Sequence, residues 1–346
     1  MYPPIDEAAL EETLAVLERG GLAAIPTETV YGLAADADNR DAVLRTFAVK
    51  NRPTTHPLIV HVAGPEALPH WASVVPAEAR ILAERFWPGP LTMVLPKSAR
   101  CGDFVTGGQD TVAIRCPSHP WTHELLRRFA GSAFKGLTAP SANTFGRISP
   151  TCAEHVREDL GVKPSGKLDA ILDGGVCEVG VESTIINLSG ARPEILRHGA
   201  VTRAMLEEAL GREVPDGGSG APRVSGSLKS HYAPQTKLEI VPADALAERL
   251  AALAPAPAAV MARTRPEGFE NLVLFLEAPQ RCAQRCADYA RMLYRALHEL
   301  DHAHAARILV EAPPADPEWA AVNDRLGRAA AEKTAPQQCL AKGVVR

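Results

Sequence analysis

Three stretches of this 346-residue chain place cations, hydroxyls and amides where a nucleotide and an amino acid could be held together: PTETVYGL at 26–33, KNRPTTHPLIVH at 50–61 and TAPSANTFGRISPT at 138–151. The first follows a short apolar run, Leu22 to Ile25, that reads as a buried strand, and it groups the hydroxyls of Thr27, Thr29 and Tyr31 around Glu28. The second closes a helix at Lys50, adds Arg52, and enters a strand over Leu58 to Val62 that carries His61. The third is a strand end followed by Ser141, Asn143 and Ser149. Thr, Ser and Asn are ordinary turn residues and a lone Lys or Arg is commonly solvated, so each stretch alone has a plain structural reading. Polar groups at the ends of buried strands face clefts, and three such stretches together outline a site.

The elements that must position these residues alternate. A helix over Glu7 to Arg19, closed by Gly20 and Gly21, precedes the first strand, and a loop then leads to a helix over Arg40 to Lys50. Further strands are expected at Leu91 to Leu95, Thr111 to Arg115, Leu137 to Ala139, Ala170 to Leu172, Ser183 to Leu188 and Glu194 to Arg197. Helices are expected over Trp121 to Phe129, Cys152 to Leu160 and Thr202 to Leu210. Strands with unequal connections fit a mixed, twisted sheet in an α/β fold. Residues 212–235 are rich in Gly, Pro and Ser without apolar periodicity, which reads as a linker between a unit at 1–211 and a smaller one at 236–346. In the second unit, strands at Leu238 to Val241, Ala258 to Met261, Val273 to Leu276 and Ile308 to Val310 interleave with helices over Ala243 to Leu253, Arg281 to His302 and Glu318 to Ala331, a Rossmann-like α/β pattern.

Composition bounds the rest. A chain that is 46% hydrophobic and 23% charged is ordinary globular protein. Asp6, Glu7, Glu11 and Glu12 stand where a signal peptide needs basic residues, and no apolar run reaches membrane-spanning length, so a cytoplasmic protein without a membrane partner is expected. The seven cysteines form no CxxC pair, which favours reduced thiols over a disulfide framework. A net charge of −4 argues against a dedicated nucleic-acid binder, although a local basic groove leaves weak RNA binding open.

Two motif matches fail on context. GVKPSGK at 161–167 has the spacing of a phosphate-binding loop, but Leu168 stands where the magnesium-binding hydroxyl belongs and the stretch follows a helix, so it reads as a surface turn. His298-Glu299-Leu300-Asp301-His302 matches H-E-x-x-H, yet no third ligand stands out downstream and the stretch reads as a helix surface. Cys282 and Cys286, four apart on the same helix, read as partly buried thiols. No metal site is expected from protein ligands.

With these residues laid out, the chain resembles the threonylcarbamoyl-AMP synthase family in its two-domain form, a YrdC-like catalytic domain with a C-terminal extension. PTETVYGL, KNRP with HPLIVH, PGPLT, VAIRCPSHP, APSAN, GRISPT, GVEST and the closing SHYAP occur in the family's order. The resemblance implies a YrdC-like twisted mixed sheet and a reaction joining L-threonine, bicarbonate or CO2, and ATP into threonylcarbamoyl-adenylate and pyrophosphate. It implies Mg2+ accompanying ATP, and a tRNA-modifying protein complex that uses the product. Carried over by position, L-threonine falls to Thr29, His61, Arg115, Ala139 and Ser183. ATP falls to Arg52, His56, Thr111, Ser141, Asn143, Ser149, Arg197 and Tyr232, with Lys50 and Arg52 as the catalytic cations. His56 stands where some members carry asparagine. The linker, with its mobile glycines and polar, aromatic end, is expected to act as a lid.

Two other classes are weighed. Carbamoyl transfer by related domains comes with acylphosphatase and zinc-finger segments, which this chain has neither the length nor the cysteine pairs to carry. An RNA-binding module would interleave basic and aromatic residues, and aromatics make up only 5% here.

Overall fold

The structure, a computed structural model, describes residues 2–131, 134–226, 228, 230–279 and 283–332. Its strands are β1 (Ala23–Ile25), β2 (Gly32–Asp36), β3 (Ile59–His61), β4 (Leu91–Pro96), β5 (Thr111–Arg115), β6 (Leu137–Thr138), β7 (Ala170–Ile171), β8 (Thr184–Asn187), β9 (Glu194–Arg197), β10 (Leu238–Val241), β11 (Ala258–Ala262), β12 (Leu272–Glu277) and β13 (Arg307–Glu311). Its helices are α1 (Glu7–Glu18), α2 (Arg40–Lys50), α3 (Leu68–Trp71), α4 (Ala77–Phe86), α5 (Asp103–Thr106), α6 (Pro120–Ala130), α7 (Ala153–Asp159), α8 (Arg203–Leu210), α9 (Leu246–Leu253), α10 (Ala283–His302) and α11 (Ala320–Ala330).

Among the described residues β1–β9 form one sheet in the order β7-β1-β2-β6-β3-β5-β4-β8-β9. Parallel pairs (β1 with β7, β3 with β5, β4 with β8) are mixed with antiparallel ones, as the unequal connections lead one to expect. Alternation along the central strands sorts the two faces. Val60, Met93, Ile114 and Ile186 turn to one side, where they pack with Phe47, Trp71, Leu82 and Leu206 from the helices. Their neighbours Ile59, Val94, Ala113 and Ile185 turn to the other side and meet Val224 from the linker.

β2 corrects the expected loop. Gly32–Asp36 is a fully buried run of small residues with neither β-branched side chains nor polar alternation, so its strand character comes only from pairing with β1 and β6. α4 is likewise absent from the sequence reading, although Ala79, Leu82 and Ala83 bury one helical face.

The second sheet, β10-β13-β11-β12, is wholly parallel. α10 and α11 cover one face through Leu293, Leu297, Leu300, Val322 and Leu326, and the same apolar cluster runs on into Val30, Ile148, Val181 and Tyr232. The helices of the second sheet therefore share a core with loops of the first unit beside the cavity described below.

The GVKPSGK stretch closes on itself through a Val162–Leu168 bridge, as a surface turn does. His298 departs from the expected solvated face: its ring stacks on His155 of α7 at 3.8 Å, and burial with the nearby His302 holds it neutral. The described residues hold no group of three metal-ligating side chains. Cys101, Cys116, Cys152, Cys177 and Cys286 are free thiols, while Cys282 and Cys339 lie outside the described residues. No described helix is long and apolar enough to cross a membrane.

Candidate active site

The connection from β1 to β2 is built around one hydroxyl. Thr27 Oγ1 accepts from the amides of Thr29 and Val30 and donates to the Val30 carbonyl, which holds the Thr29 hydroxyl 2.8 Å away in a buried position. Thr29 in turn accepts from Arg115 Nη1 at 2.9 Å. Arg115 closes β5, and its register partner on the adjacent parallel strand is His61 of β3.

Arg115 Nη2 lies 2.8 Å from Glu28 Oε1, with both side chains at most 5% exposed. That contact is an ion pair by distance but too bent to complete a hydrogen bond, so both atoms keep unused hydrogen-bonding capacity. A buried guanidinium held at Thr29 and Gly89 and paired with Glu28 has the chemistry that suits a carboxylate. His61 is fully enclosed, and burial together with Arg115 pushes its pKa down to about 3, so it is neutral at physiological pH.

A second pair of cations faces the same space. α2 ends at Asn51, whose left-handed φ of 53° turns the chain so that Arg52 enters the cleft. Arg52 donates to the Pro57 carbonyl and to Ser225 Oγ, and its guanidinium lies 5.4 Å over Phe145. Arg197, at the end of β9, donates from Nε and Nη2 to the carbonyl and hydroxyl of Ser183 and from Nη1 to the Ser225 carbonyl. Ser183 Oγ also lies 2.7 Å from Thr92 Oγ1. Both arginines have pKa values lowered chiefly by burial, and the stabilisation they lack is what an anion would supply.

One solvent-connected cavity gathers these groups. Thr29, Arg52, His61, Arg115, Ala139, Ser141, Ser183, Arg197 and Tyr232 line it. Five sequence-derived positions do not. Lys50 Nζ is turned onto the carbonyls of Ser141 and Asn143, and burial with Arg52 nearby holds its pKa well below the ordinary lysine value. Its place is behind the APSAN loop. Asn143 donates to the carbonyls of Thr144 and Arg147, and Ser149 donates to Glu182. His56 packs edge-on against Phe145. Thr111 opens on a neighbouring crevice that is closed by Arg223 and Val224.

Sequence reasoning did not place Glu182, Ser225, Gly226 or His231 among the site residues, yet all of them line the cavity. Glu182 was visible inside GVEST and His231 beside Tyr232, but neither spacing nor type separates them from turn residues. Both His231 ring nitrogens are buried without a partner, and burial lowers its pKa to about 3. Tyr232 takes a left-handed φ of 60° and is 1% exposed, which folds the linker's end down onto the cavity.

The family profile described as "Telomere recombination" matches residues 15–199, and that described as "Threonylcarbamoyl-AMP synthase, C-terminal domain" matches residues 201–331. The chain is similar to threonylcarbamoyl-AMP synthase of Pyrococcus abyssi, 36% identical over 337 residues that cover 94% of this chain and 95% of the relative. It is also similar to threonylcarbamoyl-AMP synthase of Bacillus subtilis, 40% identical over 240 residues, 68% of this chain and 67% of the relative. The crystal structure of P. abyssi Sua5 complexed with L-threonine superposes with a TM-score of 0.84 at 35% identity, covering 95% of this chain and 96% of that one.

Proposed function

Because the chain belongs to the threonylcarbamoyl-AMP synthase family, we infer that it is an L-threonylcarbamoyladenylate synthase, a nucleotidyltransferase that serves threonylcarbamoyladenosine modification of tRNA. The observation that carries the site-level reading is the division of one cavity between a buried arginine beside Thr29, Arg115, and a separate arginine pair, Arg52 and Arg197. The first suits the carboxylate of L-threonine and the second suits phosphates.

The reaction follows from that division. The threonine amine and CO2 from bicarbonate form a carbamate; a carbamate oxygen attacks the α-phosphorus of ATP, and the bond to pyrophosphate breaks. Such a displacement needs positioning and positive charge more than proton transfer. Arg115 and the Thr29 hydroxyl hold the amino acid. Neutral His61 and the Ser183 hydroxyl border it, and Arg52 and Arg197 meet the charge that develops on the phosphates. Lys50 contributes by holding the Ser141 and Asn143 carbonyls in place, a supporting role in contrast to direct contact with phosphate.

Magnesium is expected to arrive with ATP. Glu182 is the carboxylate that lines the cavity, and both its oxygens are committed to Ser149, Tyr294 and Arg325, so the described residues supply no ligand set there and the phosphates would hold the ion. The product is a labile mixed anhydride, which suits delivery to a tRNA-modifying protein complex and a lid that keeps water out. Segment 212–235 is read as that lid, joining folding units at 1–211 and 236–346, because Val224, Ser225, Gly226 and Tyr232 reach back over the first sheet.

The test is pyrophosphate release from ATP with L-threonine and bicarbonate each omitted in turn. Release is expected only with all three. Full release without threonine would overturn the assignment.

A further inference from the structure

We propose that Arg325, on α11 of the second unit, is a positioning residue for adenylate formation: it neutralises Glu182, so that the charge of Arg197 stays available to the nucleotide's phosphates. The proposal rests on the reading of Arg197 given above.

Arg325 is completely buried, although it belongs to the unit that does not form the cavity floor. Its Nε donates to Glu182 Oε2 at 2.8 Å, its Nη2 reaches the Glu182 carbonyl at 3.4 Å, and Nη1 donates to Asp324 at 2.7 Å. The same carboxylate accepts from Tyr294 of α10 at 2.8 Å and from Ser149 at 2.6 Å. Glu182 thus ties α10 and α11 of the second unit to the cavity wall. It immediately precedes Ser183, whose carbonyl and hydroxyl seat Arg197. The Arg325 guanidinium also lies 5.5 Å over the ring of Tyr232, at the end of the linker.

A carboxylate this deeply buried must be paired. Burial pushes its pKa up, but Arg325 first and Arg197 next bring it down to about 2, and the serine and arginine hydrogen bonds add to that. Without Arg325 the next cation within reach is Arg197. Glu182 would then either draw Arg197 from its Ser183 seat or take up a proton and lose its bonds to the second unit. The first outcome lowers the positive charge offered to ATP while Arg115 and its threonine seat, held by Thr29 and Glu28, are untouched. A residue that only docks the two units would have no reason to separate the two substrates in this way.

The experiment compares full-length Arg325→Met, Arg325→Lys, Glu182→Gln and the E182Q/R325M double variant with wild type. It measures KM for ATP and for threonine, ATP Kd by calorimetry, and folding by circular dichroism. Arg325→Met is expected to weaken ATP about tenfold or more and threonine by less than about threefold, since loss of one partner of a buried pair leaves the other uncompensated. Arg325→Lys should recover part of the loss. The double variant, in which no carboxylate competes for Arg197, should bind ATP better than Arg325→Met alone. If Arg325→Met does not fold, Arg325→Lys against the double variant decides the same question. Equal weakening of both substrates, or a double variant no better than the single, would overturn the proposal. Wild-type ATP affinity in Arg197→Ala would instead show that the reading of Arg197 had failed.

Discussion

Gly226→Ala is the substitution that most directly tests whether the linker closes the cavity. Gly226 has a φ of 82°, and a Cβ added there would stand 2.1 Å from Tyr232 Oη and 3.3 Å from Arg197 Nη1. The left-handed backbone alone costs a non-glycine residue about 1–2 kcal/mol. The overlap with Tyr232 cannot be relieved by a small rotation, because that side chain is 1% exposed and packed against Tyr294 and His231. On the other side of the balance, burying Val224 against Ile59, Val94, Ala113 and Ile185 stabilises the closed linker by about 1.5–3 kcal/mol. The two terms are of one size, so the closed arrangement should lose population by about tenfold or more. The assay is tryptic cleavage at the exposed Arg223 alongside steady-state turnover. Cleavage should speed up by about that factor and turnover should fall, with threonylcarbamoyl-adenylate appearing as hydrolysed product. Gly218→Ala and Gly220→Ala are built-in controls, since a Cβ at either meets nothing within 4 Å. Cleavage and turnover matching those controls would refute the reasoning; a rise in turnover would show that closure blocks the site.

Arg115→Lys should raise the threonine KM by about tenfold or more and the ATP KM far less, because lysine keeps the charge but loses the fork that binds Thr29 and Gly89 and is proposed to take the substrate carboxylate; the reverse order would mean the two subsites are exchanged. Lys50→Ala should lower stability by about 1–3 kcal/mol as well as turnover, since the buried Ser141 and Asn143 carbonyls lose their donor; an unchanged melting temperature would contradict the placement. Acidification from pH 6.5 toward 4 should destabilise the fold. His61, His119, His155, His231 and His298 have folded pKa values near 3 to 4, lowered first by burial, so in that window the unfolded chain binds protons that the folded one refuses. Glu182 acts lower down: its contribution is full above about pH 4.5 and is lost as pH falls through about 2. A denaturation midpoint equal at pH 5 and 7.5 would count against the histidine term.

The amino-acid sequence determined by itself what depends on local chemistry. Periodicity, caps and breakers located α2, β5 and β9 to the residue, because hydrogen bonding and burial repeat on a period legible in one dimension. The ordered motifs also contain eight of the predicted site residues that line the cavity, and the family resemblance added Arg197. Tertiary structure decided what depends on distant partners. β2 is a strand only because β1 and β6 bracket a run of small residues with no pattern of its own. Lys50 and Arg52 look alike in sequence, yet the left-handed turn at Asn51 sends one behind the APSAN loop and the other into the cavity. Arg325 reads as one more charge on an amphipathic helix, and its pairing with a carboxylate 143 residues away comes from the packing of α10 and α11 against loops of the first unit. Charge and shape complementarity across such separations leave no period in the sequence, so only the folded chain reveals them.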